Sequence, residues 1–237
     1  MWPLPTIKNE LVSFILNEDN LICAWIRQNK TQPRLTLQAY RHIALDTIGN
    51  EASITNPSVI VKQFKTFLHD YHLCNAFATL AVAPLHVIQN YITLAHATPK
   101  STDFAPWINM QKQTSWEYEY LYPTDTNEYV FYLCGIKNSI LLQYKLIALR
   151  LPLNLLTITT QDMALLHVYQ NKYGNTFRKA QLAIDMVAHN NMPSTLFTHE
   201  TIQRIMHIPS TVQIQATQEN SFLLLAAGLH LAQGITQ

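Results

Sequence analysis

Residues 13–26, SFILNEDNLICAWI, hold two apolar runs joined by four polar residues, Asn17-Glu18-Asp19-Asn20. The runs have strand length and the link has turn length, so the unit reads as a hairpin. RLTLQAYRHIAL (34–45) alternates apolar and polar residues and adds a third antiparallel strand. The period then changes. In NPSVIVKQFKTFLHDYHL (56–73), Ile60, Phe64, Phe67, Leu68 and Tyr71 form a stripe at helical spacing, with Lys62, Lys65 and Asp70 falling away from it. Asn56 stands where a cap belongs and Pro57 suits the first helical position. NAFATLAVA (75–83) returns to a strand pattern. Three early strands followed by a helix and a strand already limit the fold to a mixed α/β class.

The same alternation of periods continues downstream. VIQNYITL (87–94), SWEYEYLY (115–122) and EYVFYLCGI (128–136) are strands, the last two around a PTDTN turn. A loop or short helix with Pro99, Pro106 and Trp107 occupies about 98–113. NSILLQYKLIAL (138–149) is a helix, LNLLTITT (153–160) a strand and QDMALLHVYQNKY (161–173) a helix. From 175 the pattern is mostly helical, in FRKAQLAIDMVAHN, HETIQRIMHI and SFLLLAAGLHLAQ. No repeat, heptad seam or low-complexity stretch occurs. A chain of 237 residues buries enough surface for a core without staples.

Charged residues make up 13% of the chain, about half the usual fraction. A net charge of +1 without a Lys/Arg cluster leaves no electrostatic footprint for nucleic acid. The weakly charged surface favours association with other proteins. Cys23, Cys74 and Cys134 each sit in an apolar run, which predicts free, packed thiols in a reducing compartment. MWPLPTIKNE does not read as a secretion signal. Of the two most apolar windows, SILLQYKLIALRLPLNLL carries Lys145, Arg150 and Pro152, and SFLLLAAGLHLA is too short to span a bilayer. The expectation is a soluble, cytoplasmic protein.

Candidate chemistry is sparse. His69, His72 and Cys74 lie close in sequence, but a zinc site needs three or four positioned donors and no second half is evident. His199-Glu200 lacks the second histidine of a zinc-protease helix. There is no Gly-x-Ser-x-Gly elbow and no cysteine in a polar context. The carboxylates form no close pair with an apolar wall that would set acid and base roles apart. The five glycines, Gly49, Gly135, Gly174, Gly228 and Gly234, are never closer than six residues. Phosphate loops need glycine for positive φ and close approach of backbone to anion. Glu18 and Asp19 would also set two negative charges where a triphosphate would sit. The first turn therefore reads as a turn only, with no catalytic, cofactor or metal residue.

ITNPSVIVKQFKTFLHDYHLCNAFATLAVAPLHVIQNYITL (54–94) resembles the segment of PilM-type proteins that comes after their first strands. So does the order of WEYEYLYPTDTNEYVFYLCGIKNSILLQYKLIALRLPLNLLTITTQDMALLHVYQ, with a helix near an Asp, Ala and Leu pattern at Asp162, Ala164 and Leu165. SFLLLAAGLHLAQG is similar to the closing Ala-x-Gly-Leu-Ala-Leu helix of that family. These are actin-like cytoplasmic proteins of type IV pilus assembly, and the cytoplasmic domain of GspL-type secretion proteins is a close cousin. The likeness covers roughly two thirds of the chain, as order and pattern rather than a diagnostic motif.

The resemblance implies an actin-like (RNase H-like) lobe of mixed sheet with flanking helices over 1–174, with 84–136 inserted as a subdomain. It implies a shortened, mostly helical second part over 175–237. The family's Asp-Ile-Gly phosphate loop is replaced here by Leu16-Asn17-Glu18. Its second Asp-x-Gly hairpin is matched only by Asp185, without a glycine. No nucleotide-contacting residue carries over and no cofactor is implied. What the resemblance does imply is a non-catalytic scaffold, peripheral to the inner membrane through a PilN-type partner, with homo-oligomerisation possible. Phe104, Trp107 and Trp116 are the candidate partner contacts, with Trp107 the best placed for exposure; the competing reading makes these aromatics core. An actin-like ATPase with an atypical site, or an unrelated α/β binding protein, are the alternatives.

Overall fold

The computed structural model describes residues 10–28, 35–110, 112–173, 199–212 and 219–232. The opening hairpin forms as β1 (Glu10–Leu16) and β2 (Asn20–Gln28), paired so that Leu16 faces Leu21 across the turn. β3 (Leu35–Ala44) continues antiparallel to β2. Two short strands, β4 (Gly49–Asn50) and β5 (Ser53–Ile54), precede helix α1 (Pro57–Asp70). The helix carries the chain over one face and returns it as β6 (Ala76–Val82), parallel to β1. That is what a parallel neighbour requires, since a hairpin cannot make one.

After β6 the chain leaves the main sheet. β7 (Val87–Leu94), α2 (Ala105–Met110), β8 (Thr114–Pro123) and β9 (Tyr129–Lys137) intervene, and the three strands form an antiparallel sheet ordered β7-β9-β8. The chain then comes back through α3 (Asn138–Leu149) and β10 (Leu153–Thr160), parallel to β6. α4 (Gln161–Tyr173), α5 (His199–Ile205), β11 (Met206–His207) and α6 (Glu219–Ala232) complete the described elements. The main sheet is ordered β10-β6-β1-β2-β3-β11. β11, two residues long, pairs parallel with β3.

Strand alternation distributes the core to two sides. Val12, Phe14 and Leu16 of β1 join Leu21 and Cys23 of β2 beneath α1 and α3, whose Phe64, Phe67, Tyr144 and Ile147 fill that layer. The Phe14 and Phe64 rings lie 4.0 Å apart. Ile15, Ile22, Ala24 and Ile26 point the other way, onto Ala164, Leu165 and Val168 of α4 and Leu223, Ala226 and Ala227 of α6. The described residues of 175–237 thus pack directly on the sheet. Ser13, buried on that face, reaches Thr79 Oγ1 and the Ala226 carbonyl, each at 3.4 Å. The small-residue run Ala226-Ala227-Gly228 is what allows α6 to approach this closely. A Cβ at Gly228 would overlap the Ala164 carbonyl of α4.

The joint between the two sheets is a chain of buried hydrogen bonds. The turn Pro84–His86 enters the small sheet, and α3, carrying Tyr144, leaves it. Tyr144 Oη accepts the Ala83 N–H at 3.0 Å and lies 2.7 Å from His86 Nδ1; His86 Nε2 lies 2.8 Å from the Asn50 carbonyl. A carbonyl can only accept, so Nε2 carries the proton and Nδ1 accepts from the tyrosine hydroxyl. Burial lowers the His86 pKa, against a smaller opposing effect of the Asn50 hydrogen bond. A second proton would set two donors against each other in this chain.

Three details of the sequence reading are corrected. Asn56 sits in the left-handed region (φ 52°, ψ 52°) and makes no side-chain cap; its carbonyl accepts the Val59 N–H instead. α1 ends at Asp70, short of residue 73, because His72 and Asn75 both take positive φ to turn the chain into β6. Cys74 lies on that turn and is exposed, while Cys23 and Cys134 are buried free thiols. FRKAQLAIDMVAHN, with Asp185, lies outside the described residues.

This packing sets two expected outcomes. Gly228→Ala should lower the urea-unfolding free energy by about 1–3 kcal/mol, since overpacking α6 on α4 outweighs the roughly 1 kcal/mol helix preference for alanine. The histidines set an acid limit, because His86 and the buried His230, held down to about 4 by burial, stay neutral in the fold. Both bind protons more readily when unfolded, so their stabilisation is complete above about pH 6.5 and is lost as pH falls below it. His86→Gln should flatten stability against pH between about 6.5 and 5, by at most about 1.4 kcal/mol per pH unit; an unchanged slope in pH-dependent urea melts would exclude this role.

Candidate functional site

Parallel strands bring their carboxyl ends to one edge, and in open α/β sheets ligands bind there. Here that edge joins Leu16 of β1, Val82 of β6 and Thr160 of β10. The hairpin tip at this edge is closed on itself. Asn17 N–H donates to the Asn20 carbonyl at 2.9 Å, and Asn17 Nδ2 donates to Asn20 Oδ1 at 2.7 Å. The carbonyls of Glu18 and Asp19 accept N–H groups of Ile48 and Leu45, both at 2.7 Å. Gln161, the first residue of α4, donates from Nε2 to the Leu16 carbonyl at 2.9 Å and to Asn17 Oδ1 at 2.6 Å.

The small sheet faces this edge with its polar side. Gln89, Cys134 and Glu117 are cross-strand partners on β7, β9 and β8, and Tyr132 lies two residues from Cys134 on the same face. Tyr132 Oη and Gln89 Nε2 both donate to Asp162 Oδ2, at 2.7 and 2.6 Å. Asp162 stands in the first turn of α4, so one carboxylate ties the small sheet to the main one. Burial raises the Asp162 pKa while these two hydrogen bonds pull it down. Glu117 is also raised by desolvation. The Tyr132 phenol is pushed well above its ordinary range, first by burial and then by the Asp162 charge.

Cys134 takes a long contact from Thr160 Oγ1 (3.9 Å), and its thiol is pushed up to about 12 by burial, with the Glu117 and Asp162 carboxylates adding to the rise. Such a thiol keeps its proton and is no nucleophile. Among the described residues no group of three or more His, Cys, Asp or Glu side chains is placed to hold a metal ion. What the arrangement does is clamp two sheets.

Glu117 and Asp162 are 45 positions apart, yet both act on Cys134 once the small sheet folds back. The alternation of SWEYEYLY, which sends Glu117 and Glu119 to one side and the tyrosines to the other, was the available signal.

The aromatic candidates separate on the opposite side of the small sheet. Phe104 is buried with Ile92, Phe131 and Leu133, so it is core rather than contact. Trp107 and Trp116 are half-buried and pack against that cluster. Trp116 lies across from Gly135 on β9, where a Cβ would overlap its indole. Tyr118 and Tyr120 are the exposed members, at 48% and 40%.

Comparison with known proteins bears on the fold. No protein-family model matches the chain, and no curated protein does. Among solved structures, a chain of a PilM-PilN type IV pilus biogenesis complex matches with a TM-score of 0.55 and 13% identity, over 69% of this chain and 51% of that one. This chain therefore spans about half the length of that relative. Looser superpositions, at TM-scores of 0.38 and 0.36, reach the cytoplasmic domain of EpsL, an inner membrane component of the type II secretion system of Vibrio cholerae, and a Bacteroides thetaiotaomicron protein with an actin-like ATPase fold. Their identities are 9% and 13%, over 65% and 73% of this chain and 57% and 60% of theirs. Among the described residues no helix is long and apolar enough to cross a membrane. In fold, this chain is similar to that chain of the PilM-PilN complex, a mixed sheet flanked by helices with a small second sheet inserted between its parallel strands.

Proposed function

We propose that the chain is a non-catalytic cytoplasmic scaffold of a type IV pilus or type II secretion inner-membrane platform. In this reading it binds the cytoplasmic tail of a PilN-type membrane partner and lies against the membrane only through that partner. The carrying observation is the conjunction of a PilM-like fold with a hairpin tip whose polar groups already bond one another. A phosphate held by backbone needs free N–H groups converging on it, usually with glycine to open the turn. Residues 16–20 contain no glycine, and Glu18 and Asp19 repel a polyanion. These features favour binding over hydrolysis.

For the tail, the exposed part of the aromatic set is the better surface. Tyr118 and Tyr120 stand on β8, an edge of the small sheet, beside the half-buried Trp107 and Trp116. An edge strand offers main-chain groups to an extended peptide, and rigid aromatics supply contact area at small entropy cost.

Calorimetry separates the readings. A peptide of a PilN-type cytoplasmic tail should bind saturably, and replacing Tyr118 and Tyr120 together by alanine should weaken it by roughly tenfold or more. ATP with magnesium should give no saturable heat. Saturable ATP binding would move the chain to the class of actin-like ATPases with an atypical site, and tail binding indifferent to both tyrosines would place the contact elsewhere.

A further inference from the structure

α3 is apolar on two opposite sides. Ile140, Tyr144, Ile147 and Ala148 are buried against the sheet, while Leu142, Leu146 and Leu149 are 56%, 47% and 80% exposed. At the helical repeat, these three leucines fall within about 60° of one another, directly opposite the buried set. Single exposed leucines are ordinary on a protein surface. A row of three at i, i+4 and i+7, on a helix already anchored by its other side, has the form of one half of a helix–helix seam.

The rims of the row are both cationic. Lys145 borders it on one side and Arg150 on the other; both are exposed, and neither has an ion-pair partner among the described residues. No Asp or Glu occurs between Glu128 and Asp162. This charge pattern selects the occupant. A second copy packed through Leu146 would set Lys145 against Lys145 in an antiparallel arrangement, or Lys145 against Arg150 in a parallel one, and both repel. A lipid surface would meet only three leucines and two cations, on a helix whose other face holds it to the sheet and keeps it from sinking in.

We propose that Leu142, Leu146 and Leu149, rimmed by Lys145 and Arg150, form a docking ridge for an amphipathic helix of a partner protein that carries acidic residues along both flanks of its apolar stripe. The partner's stripe would interdigitate with the leucines, and its acids would pair with Lys145 and Arg150. The ridge is a separate surface from Tyr118 and Tyr120, so it stands whether or not a tail binds there.

Two designed helical peptides with the same leucine stripe test it, one flanked by glutamates and one by lysines. Each is labelled and titrated with the whole chain by fluorescence anisotropy. The glutamate-flanked peptide should bind saturably, and the lysine-flanked one should bind roughly tenfold more weakly or worse. Leu146→Asp should abolish binding, and Lys145→Glu with Arg150→Glu should reverse the preference between the peptides. These positions are exposed, so thermal unfolding should be unchanged, and tail-peptide binding should survive each variant. Failure of both peptides to bind, equal binding of the two, or indifference to Leu146→Asp would overturn the proposal. Self-association in sedimentation, or cosedimentation with phosphatidylserine vesicles, lost with Leu146→Asp would overturn it in favour of a second copy or a membrane.

Discussion

β1 is buried on both of its faces, and the rest of the molecule is arranged around that fact. Val12, Phe14 and Leu16 supply one core, and Ile15, with the hydrogen-bonded Ser13, supplies the other. A strand in this position must have a neighbour on each edge and a layer on each side. The hairpin fills one edge with β2 at the cost of a turn. The other edge takes β6 in parallel, and a parallel neighbour demands a crossover, so α1 covers the first face in the act of delivering β6. The second face is left for the chain beyond β10 to close. α4 and α6 do this, and Gly228 sets how near they lie.

Most of this order is legible in the residues because the elements carry distinct patterns. The stripe of α1 and the alternation of β8 contrast apolar with polar at a fixed spacing, and the hairpin and β9 are apolar runs of strand length bounded by polar residues. Legibility fails where that contrast disappears or where proximity depends on tertiary folding. α3 reads as a helix, but a helix apolar on two sides gives no sign of which leucines face water. Asp162 is visible as one acid near a helix start, and its bonds to Tyr132 and Gln89 exist only after two sheets meet. Phe104, Trp107 and Trp116 share a stretch whose composition suits a core or a contact equally. Burial separates them: Phe104 goes inside, and the two tryptophans rest on it. β11 is too short to carry any period.

The inserted sheet is held by polar groups at two separate points, and their chemistry differs. At the His86 joint the partners are neutral groups and the bond directions are set by the Asn50 and Ala83 backbone, so a single tautomer of the neutral ring fits. At Asp162 the partner is a carboxylate that accepts from both Tyr132 and Gln89, and burial works against its charge. Hydrogen bonds to a carboxylate are individually stronger than neutral ones, but the charge costs more to desolvate, so the two joints reach their hold by different balances of the same effects.

The low charge of the chain gives these surfaces a common logic. With only 13% charged residues, a few ions weigh heavily in how each face behaves. The carboxyl edge concentrates acids around a hairpin that has closed its own hydrogen bonds, which leaves little for an anion to hold. α3 does the reverse, with two cations beside a bare leucine row on a helix that the core cannot release. The proposed scaffold role and docking ridge both start from this contrast between a polar edge whose groups bond one another and an apolar row rimmed by cations without an ion-pair partner among the described residues.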